Sequence, residues 1–254
     1  MSQSGSINLE VKNNIATITF HHPKGNSLPG SMLRELARTI SDAGKLDEVN
    51  VIVLRSKGEG AFCAGASFDE LMAIANFNEG KHFFMGFALV LNAMRQCPKL
   101  IIVRVQGKTV GGGVGIASAG DYTMAHDSAS VKLSELALGI GPFVVGPAVR
   151  RKIGDAGFST LAIDAASWYD AEWAHNNGLY ARLYGSHGEL DDAVDELSAS
   201  LAKSSPEAMQ ELKKVFWRGT DHWDTLLEQR AEISGRLVLS EYTRNFIENF
   251  KKSG

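Results

Sequence analysis

Short stretches that alternate apolar and polar residues open the chain. Residues 7–11 and 15–20 both show the two-residue period of a half-buried strand, and they flank the pair Asn13-Asn14. Two alternating runs separated by such a pair are typical of two antiparallel strands joined by a tight turn. The pattern therefore predicts a β-hairpin near the start of the chain.

Helical and strand patterns then alternate. Apolar residues recur at helical spacing over residues 33–40 and 83–95, whereas residues 51–54 and 100–106 are apolar runs typical of buried strands. Residues 67–70, Ser-Phe-Asp-Glu, have the form of a capping box and predict the start of a helix. This alternation predicts an α/β layer with ligand-binding loops at the ends of the strands.

The pattern changes in the last third of the chain, where β-branched runs disappear and helical periods dominate from about Asp155 onward. The dipeptide Asn-Gly at residues 177–178 is typical of a helix end, and Ser-Pro at residues 205–206 of a helix start. We therefore expect a core at residues 6–157 and an all-helical region at residues 158–254, with no flexible linker between them.

Composition narrows the class of protein. With 254 residues, of which 44% are hydrophobic and 22% charged, the chain can bury one good core without covalent cross-links. A formal net charge of −3 supplies no basic field, so we expect neither a nucleic-acid nor a membrane partner. A small anionic ligand would need a local site.

Targeting signals and cysteine usage point to one compartment. The first residues, MSQSGSINLEVKNN, contain no basic stretch followed by an apolar one, so we expect no export signal. The most apolar stretch, residues 100–105, is far shorter than the roughly 20 residues that span a bilayer. Cys63 and Cys97 fit neither a disulfide framework nor a paired-cysteine metal site. A cytoplasmic location is the simplest expectation.

A run of small residues precedes the predicted helix start at Ser67. Residues 60–67 read Gly-Ala-Phe-Cys-Ala-Gly-Ala-Ser. Small side chains let a ligand approach the backbone closely, and the free amides at a helix start carry a partial positive charge. This arrangement suits the stabilisation of an anion, although an ordinary strand-to-helix turn would also produce the pattern. Within the run, we expect Cys63 to be a buried filler, since no His/Asn arrangement supports a thiol nucleophile.

A second glycine-bearing segment follows the next predicted strand. Residues 107–117 read Gly-Lys-Thr-Val-Gly-Gly-Gly-Val-Gly-Ile-Ala, which is not a Walker loop because no Gly-Lys-Ser/Thr closes it. Each glycine inside a helix costs roughly 1 kcal/mol relative to alanine. Something must therefore require bare backbone there, either a ligand or tight packing of a helix against the sheet.

Glu135 is the third feature that points to chemistry. It stands alone in the run Val-Lys-Leu-Ser-Glu-Leu-Ala-Leu-Gly-Ile-Gly-Pro at residues 131–142. Such a carboxylate either faces solvent or lies in an apolar pocket, where its pKa is raised and it suits general acid/base catalysis.

In this order and spacing, the three segments resemble the signature of the enoyl-CoA hydratase/isomerase (crotonase) superfamily, over about residues 7–250. The superfamily's early marker, Pro-x-x-Asn-x-Leu, is present at residues 23–28, and its later phrase, Ala-x-x-Ala-x-x-x-Gly-Leu, at residues 171–179. The superfamily's Asp, Glu, Pro and Gly are matched by Asp121, Glu135, Pro142 and Gly146. Each match alone is weak, but the ordered set is specific.

The resemblance implies an α/β fold, a ββα spiral with a C-terminal all-helical oligomerisation region that builds a homotrimer or homohexamer. It implies an acyl-CoA thioester as substrate, with coenzyme A arriving as part of that substrate, no permanently bound cofactor and no metal. The backbone N–H groups of Ala66 and Gly112 would form an oxyanion hole, and Glu135 would be the acid/base. The residues expected to bind the acyl-CoA are Lys24, Ala64, Ser67, Phe68, Gly111 and Phe143.

The sequence departs from the hydratases of that superfamily at one catalytic position. Hydratases carry two glutamates, and the position of the first is occupied here by Gly115, while Phe143 stands where a small residue is common. We expect Phe143 to fill the space of the missing carboxylate and to make the pocket drier. A single carboxylate favours isomerisation of an enoyl-CoA, because the group that removes a proton can return it.

Several alternatives stay open at this stage. Hydration, including that of branched substrates such as methylglutaconyl-CoA, would require a recruited carboxylate, for which Asp69 and Glu70 are candidates if they do not simply cap a helix. Thioester hydrolysis comes next, because the glycine-rich phrase also resembles 3-hydroxyisobutyryl-CoA hydrolases, although these carry an Asp where this chain has Phe143. A decarboxylase and a non-catalytic acyl-CoA-binding scaffold complete the set.

Overall fold

Nine strands and ten helices make up the part of the chain that the computed structural model describes, residues 5–253, with side chains described for residues 5–249. The strands are β1 (Ser6–Lys12), β2 (Ile15–His21), β3 (Val51–Ser56), β4 (Leu100–Val105), β5 (Thr109–Val110), β6 (Tyr122–His126), β7 (Ser130–Lys132), β8 (Tyr169–Asp170) and β9 (Arg182–Tyr184). The helices are α1 (Gly30–Lys45), α2 (Phe68–Ala73), α3 (Phe77–Gln96), α4 (Gly112–Ala119), α5 (Gly146–Ile163), α6 (Ala171–Asn176), α7 (His187–Ala202), α8 (Pro206–Phe216), α9 (Trp223–Leu237) and α10 (Glu241–Ser253).

A six-stranded sheet in the order β1-β2-β3-β4-β6-β9 forms the centre of the fold. Strands β1 and β2 pair antiparallel as the predicted hairpin, and every further pair in this sheet is parallel. Asn13 and Asn14 form the hairpin turn with φ of 52° and 65°, the left-handed conformation that such turns require. A smaller sheet in the order β5-β7-β8 includes two residues of the second glycine-bearing segment, Thr109 and Val110, as β5.

Both faces of the central strands are covered, which explains their continuous apolar sequences. Successive side chains of a strand point to opposite faces. Ile52 and Leu54 of β3 therefore belong to the main core, whereas Val51 and Val53 form a second cluster together with side chains of α7. The strands thus carry helices on both sides, and their ends are left free to position loops.

The C-terminal third is not all-helical, contrary to the prediction from sequence. Strand β9 adds the last strand of the central sheet by pairing with β6, and β8 pairs with β7. Strands of two and three residues are too short to show a two-residue period, so the helical pattern on either side concealed them.

The predicted division between residues 157 and 158 does not correspond to a structural boundary. It falls inside α5, which is kinked at Gly154, where φ is +73°. Trp223, Leu227 and Ala231 of α9 belong to the same hydrophobic core as the strands of the central sheet. The helical region therefore completes the core.

Helices α3 and α9 cross in direct backbone contact at Gly80 and Gly235. A Cβ placed on Gly80 would lie 2.8 Å from Gly235 O, and one placed on Gly235 would lie 2.6 Å from Lys81 N. Neither helix can carry a larger residue at the crossing unless the two move apart. Near this crossing, Phe87 of α3 and Ser234 of α9 line the cavity that also contains Glu135.

We predict that Gly235→Val destabilises the fold by about 1–3 kcal/mol, because the branched side chain has no space against α3. The matched control is Gly188→Ala in α7, where an added Cβ would meet only Ser186 Oγ at 4.0 Å. Alanine there should be neutral or stabilising by up to about 1 kcal/mol. Urea unfolding measures both changes, and wild-type stability of Gly235→Val would contradict the close crossing.

Candidate active site

The first small-residue segment runs beside Leu28 and ends at the start of α2. Leu28 N donates to Gly65 O at 2.8 Å, and Ser67 N donates to Leu28 O at 3.3 Å. Gly65 has a φ of +89°, a left-handed conformation that favours glycine. Between these two hydrogen bonds, the Ala66 N–H donates to no acceptor among residues 5–253.

The second glycine-bearing segment is joined to the first by a backbone hydrogen bond, in which Val110 N donates to Cys63 O at 2.9 Å. Gly111 then adopts a φ of +52°, and α4 begins at Gly112. Within the described part of the chain, the Gly112 N–H also has no acceptor, as is usual in the first turn of a helix. Two free amides, those of Ala66 and Gly112, are therefore presented by two adjoining segments.

Close approach of the two segments leaves no room for side chains at several glycines. A Cβ on Gly113 would lie 2.7 Å from Cys63 Cβ, and one on Gly107 would lie 2.3 Å from Gly60 O. A Cβ on Gly65 would lie 3.9 Å from Gly112 N. Tight packing therefore explains the glycines, and the same packing brings the two free amides together.

Glu135 lies against the second segment, in the turn that follows β7. Its backbone oxygen accepts hydrogen bonds from Leu138 N at 3.2 Å and from Ile140 N at 3.0 Å, which fixes the turn. A Cβ on Gly111 would lie 2.8 Å from Glu135 Oε1, so the carboxylate lies close to the segment that presents the Gly112 amide.

The surroundings of the Glu135 carboxylate favour its neutral form. The residue is partly exposed to a cavity, but its Oε2 is inaccessible and has no hydrogen-bond partner among the described residues. Removal from water disfavours a charged carboxylate, and this burial raises the pKa of Glu135 to about 7. A hydrogen bond from the backbone of Glu135 itself opposes the rise only in part.

The free amides and Glu135 meet at one cavity with a volume of about 170 Å³. Apolar residues and glycines form most of its walls, and Glu135 is the only ionisable side chain among the described residues that line it. The lining residues that carry aromatic or larger aliphatic side chains are Phe68, Leu71, Phe83, Phe84, Phe87, Val110, Leu138, Ile140, Phe143, Val144 and Val145. Such a site can exchange one proton with a bound molecule while two amides hold a developing negative charge.

The sequence matches the family model for enoyl-CoA hydratase/isomerase over residues 10–245. The chain belongs to the enoyl-CoA hydratase/isomerase family. A short-chain-enoyl-CoA hydratase from Clostridium acetobutylicum is 28% identical over 252 residues, which cover 97% of this chain and 96% of that protein. A peroxisomal Delta(3,5)-Delta(2,4)-dienoyl-CoA isomerase from Arabidopsis thaliana is 25% identical over 211 residues, which cover 77% and 74% of the two chains.

The fold also matches solved members of the family. The crystal structure of an enoyl-CoA hydratase from Bacillus halodurans has a TM-score of 0.88 to this chain, with 20% sequence identity and coverage of 96% of this chain and 99% of that one. The crotonase-like α/β fold that the sequence predicted is thereby confirmed.

The space beside Gly115, where hydratases of the family are expected to carry their first glutamate, is filled by Val145. A Cβ on Gly115 would lie 2.6 Å from Val145 Cγ1. Phe143 lies over Gly141 instead, where an added Cβ would meet its Cε2 at 2.8 Å. The structure thus places Val145, and not Phe143, directly beside Gly115, while Phe143 lines the cavity.

The structure separates the residues predicted to bind the acyl-CoA into two groups. Ala64, Phe68, Gly111 and Phe143 line the cavity beside the free amides, whereas Lys24 and Ser67 do not. The Ser67 side chain caps α2 by accepting from Glu70 N, as the capping box predicted. The Lys24 side chain is exposed and forms an ion pair with Asp69.

The two candidates for a recruited second carboxylate, Asp69 and Glu70, lie outside the cavity. Asp69 is exposed and is paired with Lys24. Glu70 Oε2 accepts a hydrogen bond from Gly30 N at 2.8 Å, so this carboxylate anchors the first turn of α1. Both side chains therefore have structural partners outside the cavity that Glu135 lines.

The sequence did not predict most of the apolar lining of the cavity, but the prediction that Cys63 is a buried filler is confirmed. Phe83, Phe84 and Phe87 share one side of α3, and this spacing was a usable signal, whereas nothing around Ser234 indicated that α9 reaches the cavity. Cys63 is completely buried, and burial raises the pKa of its thiol to about 12, which excludes a thiolate nucleophile at neutral pH.

The described residues provide neither a metal site nor a membrane-spanning helix. No group of three or more His, Cys, Asp or Glu side chains there could hold a metal ion. No helix of the same part of the chain has the length and apolar content needed to cross a membrane.

We predict that wild-type protein loses stability relative to Glu135→Gln as the pH rises from about 5 to about 8. In the folded protein Glu135 keeps its proton up to about pH 7, whereas a glutamate in the unfolded chain releases its proton near pH 4.3. The contribution of Glu135 to the free energy of unfolding is therefore complete below about pH 4.3 and is lost as the pH rises through about 7. The expected loss is on the order of 1–3 kcal/mol. Urea unfolding of both proteins across this range provides the test, and a pH-independent difference between them would contradict the raised pKa.

Proposed function

We propose that the protein isomerises 3-enoyl-CoA thioesters to 2-enoyl-CoA thioesters. The observation that supports this most directly is that Glu135 is the only ionisable side chain among the described residues lining the cavity. Moving a proton between two carbons of one substrate needs a single carrier, whereas adding water needs a further group that positions the water. Val145 occupies the place beside Gly115 where such a group would be expected.

In the first step, the Glu135 carboxylate removes a proton from C2 of the 3-enoyl thioester. The electrons of the C–H bond move towards the thioester carbonyl, and its oxygen becomes an enolate oxygen. The N–H groups of Ala66 and Gly112 donate hydrogen bonds to this oxygen, and one such donor typically lowers the barrier by about 3 kcal/mol. A pKa of about 7 suits Glu135 to this role, because it is then both substantially ionised and sufficiently basic at neutral pH.

In the second step, the protonated Glu135 returns the proton to C4 of the dienolate. The double bond then lies between C2 and C3, the thioester carbonyl is restored and Glu135 is again a carboxylate. No water is consumed, so the dry walls contributed by Phe87, Phe143 and Val145 do not hinder the reaction. These apolar walls strengthen the hydrogen bonds to the enolate oxygen, because electrostatic interactions are screened less in a cavity of low dielectric constant.

Hydration of a 2-enoyl-CoA is the second candidate function, because the relative from C. acetobutylicum is named a short-chain-enoyl-CoA hydratase. In this chain the water would have to be positioned by Glu135 with no second carboxylate among the described lining residues. For this reason we propose isomerisation as the main activity and hydration as the second candidate.

The proposal extends to the cofactor and the assembly. Coenzyme A enters as part of the substrate, no further cofactor is needed for the two proton transfers, and Lys24 is a candidate partner for its phosphates. We propose a homotrimer or homohexamer, which is supported by the exposed apolar side chains of Leu212, Val215 and Phe216 on α8.

Glu135→Gln should lower the kcat of isomerisation by roughly 10²–10⁴-fold, because an amide of the same shape cannot carry the proton. In wild type, kcat/KM should rise with pH and level off above about 7, as the carboxylate form of Glu135 becomes populated. The control is Glu35→Gln, the same change at an exposed position on α1, which should retain full activity. A Glu135→Gln variant within about threefold of wild type would remove Glu135 from the mechanism.

Isomerisation of 3-hexenoyl-CoA should exceed hydration of 2-hexenoyl-CoA in kcat/KM by at least about tenfold, or about 1.4 kcal/mol in barrier. The absorbance of the conjugated thioester follows both reactions, and free thiol is measured in parallel.

Each other result identifies a different function. Faster hydration than isomerisation would indicate that the protein is a hydratase. The hydration rates of Asp69→Asn and Glu70→Gln would then show whether one of these carboxylates is recruited. Rapid thiol release would indicate a thioester hydrolase. Tight acyl-CoA binding with neither turnover nor solvent-proton exchange would indicate a scaffold.

A further inference from the structure

Residues 141–147 form a thin wall between the catalytic cavity and a second, larger cleft of about 770 Å³. Val144 and Val145 face the catalytic cavity, and Gly146 and Pro147 face the second cleft. The three residues before them, at positions 141–143, line both spaces. The two spaces are therefore separated along this stretch by a single layer of residues.

Phe143 is the only large side chain among the three residues that line both spaces, since the other two are Gly141 and Pro142. Its ring lies over Gly141, which has a φ of +87°, and a Cβ added there would lie 2.8 Å from Phe143 Cε2. The aromatic ring thus supplies most of the bulk of the wall at this point, and its removal would join the two spaces.

The catalytic cavity is small compared with a long acyl chain. Its volume of about 170 Å³ is close to that of a cavity of ~150 Å³ that holds one benzene molecule. The acyl group that fits beside Glu135 therefore contains about six carbons.

The second cleft could receive the end of a longer chain if the wall were open. Its lining combines apolar side chains, among them Leu136, Phe158, Ile163 and Leu226, with the charged side chains of Arg150, Arg151, Asp155 and Arg230. Ile163 lines this cleft and not the catalytic cavity, and it is 74% exposed, so it can be replaced without disturbing the core. A methylene that moves from water into such a lining gains about fourfold in affinity.

We infer that Phe143 sets the upper length limit of the acyl chain, by closing the catalytic cavity against the second cleft. The inference rests on the proposed acyl-CoA function and adds the substrate class, thioesters of short acyl chains. It assigns to Phe143 a role in selecting the substrate, whereas proton transfer stays with Glu135.

Binding of saturated acyl-CoA thioesters tests the wall independently of catalysis. Dissociation constants of butanoyl-, hexanoyl- and decanoyl-CoA are measured by calorimetry for wild type, Phe143→Ala and Phe143→Leu. Wild type should bind decanoyl-CoA no more tightly than hexanoyl-CoA. In Phe143→Ala, decanoyl-CoA should bind at least about tenfold more tightly than hexanoyl-CoA, because up to four further methylenes enter the cleft. For Phe143→Leu, the gain in affinity from hexanoyl-CoA to decanoyl-CoA should lie between those of wild type and Phe143→Ala. This variant replaces Phe143→Ala in the test if the alanine variant does not fold.

Ile163→Asp shows whether the chain enters the second cleft. Alone, it should leave all three dissociation constants unchanged, because the wild-type chain does not reach it. Combined with Phe143→Ala, it should abolish the gain for decanoyl-CoA and leave butanoyl-CoA binding as in the single Phe143→Ala variant, since a carboxylate disfavours an apolar chain end.

The outcomes separate this inference from the proposed function. Wild type that binds all three thioesters with rising affinity, or folded Phe143 variants with the wild-type length profile, would overturn the role of Phe143 even if isomerisation is observed. The expected binding profile in a protein that isomerises no thioester would retain the role of Phe143 and reject the isomerase.

Discussion

Backbone contact between residues 62–67 and 107–113 is the constraint on which the site depends. Two amides can grip one oxygen only if their segments are held side by side and both N–H groups lack acceptors. The hydrogen bond from Val110 N to Cys63 O supplies the first condition. Gly65 and Gly111 both have positive φ, and the amide that follows each of them, in Ala66 and in Gly112, has no acceptor among the described residues. Larger residues at the contact would separate the segments and remove the site.

The apolar walls of the cavity surround both Glu135 and the two free amides. Apolar walls raise the pKa of Glu135 by removing water, and the same low dielectric constant strengthens hydrogen bonds to an enolate oxygen. A second carboxylate next to Glu135 would bring water and charge into this space. Val145 fills the space beside Gly115 instead, and this packing supports the proposed transfer of a proton within the substrate.

The C-terminal helices are part of the site as well as of the core. Helix α9 is held against α3 by the backbone contact at Gly80 and Gly235, and the same pair of helices carries Phe87 and Ser234 to the cavity. The start of α5, at Gly146 and Pro147, lines the second cleft on the other side of the wall. The space around the substrate is therefore set by residues distributed over most of the chain.

Local patterns were enough to predict the hairpin, the capped start of α2, the buried strands and the family, because period, turn residues and ordered motifs are properties of neighbouring residues. They also identified Glu135, although its raised pKa depends on walls that come from four separate helices. Three features were decided only by tertiary structure: the strands within the C-terminal third, the identity of Val145 as the filler beside Gly115, and the position of Phe143 between two spaces. Each of these features depends on contacts between side chains of segments that are distant in the sequence. The directions in which the folded backbone points the Cβ atoms determine these contacts, and the order of residues along the chain does not.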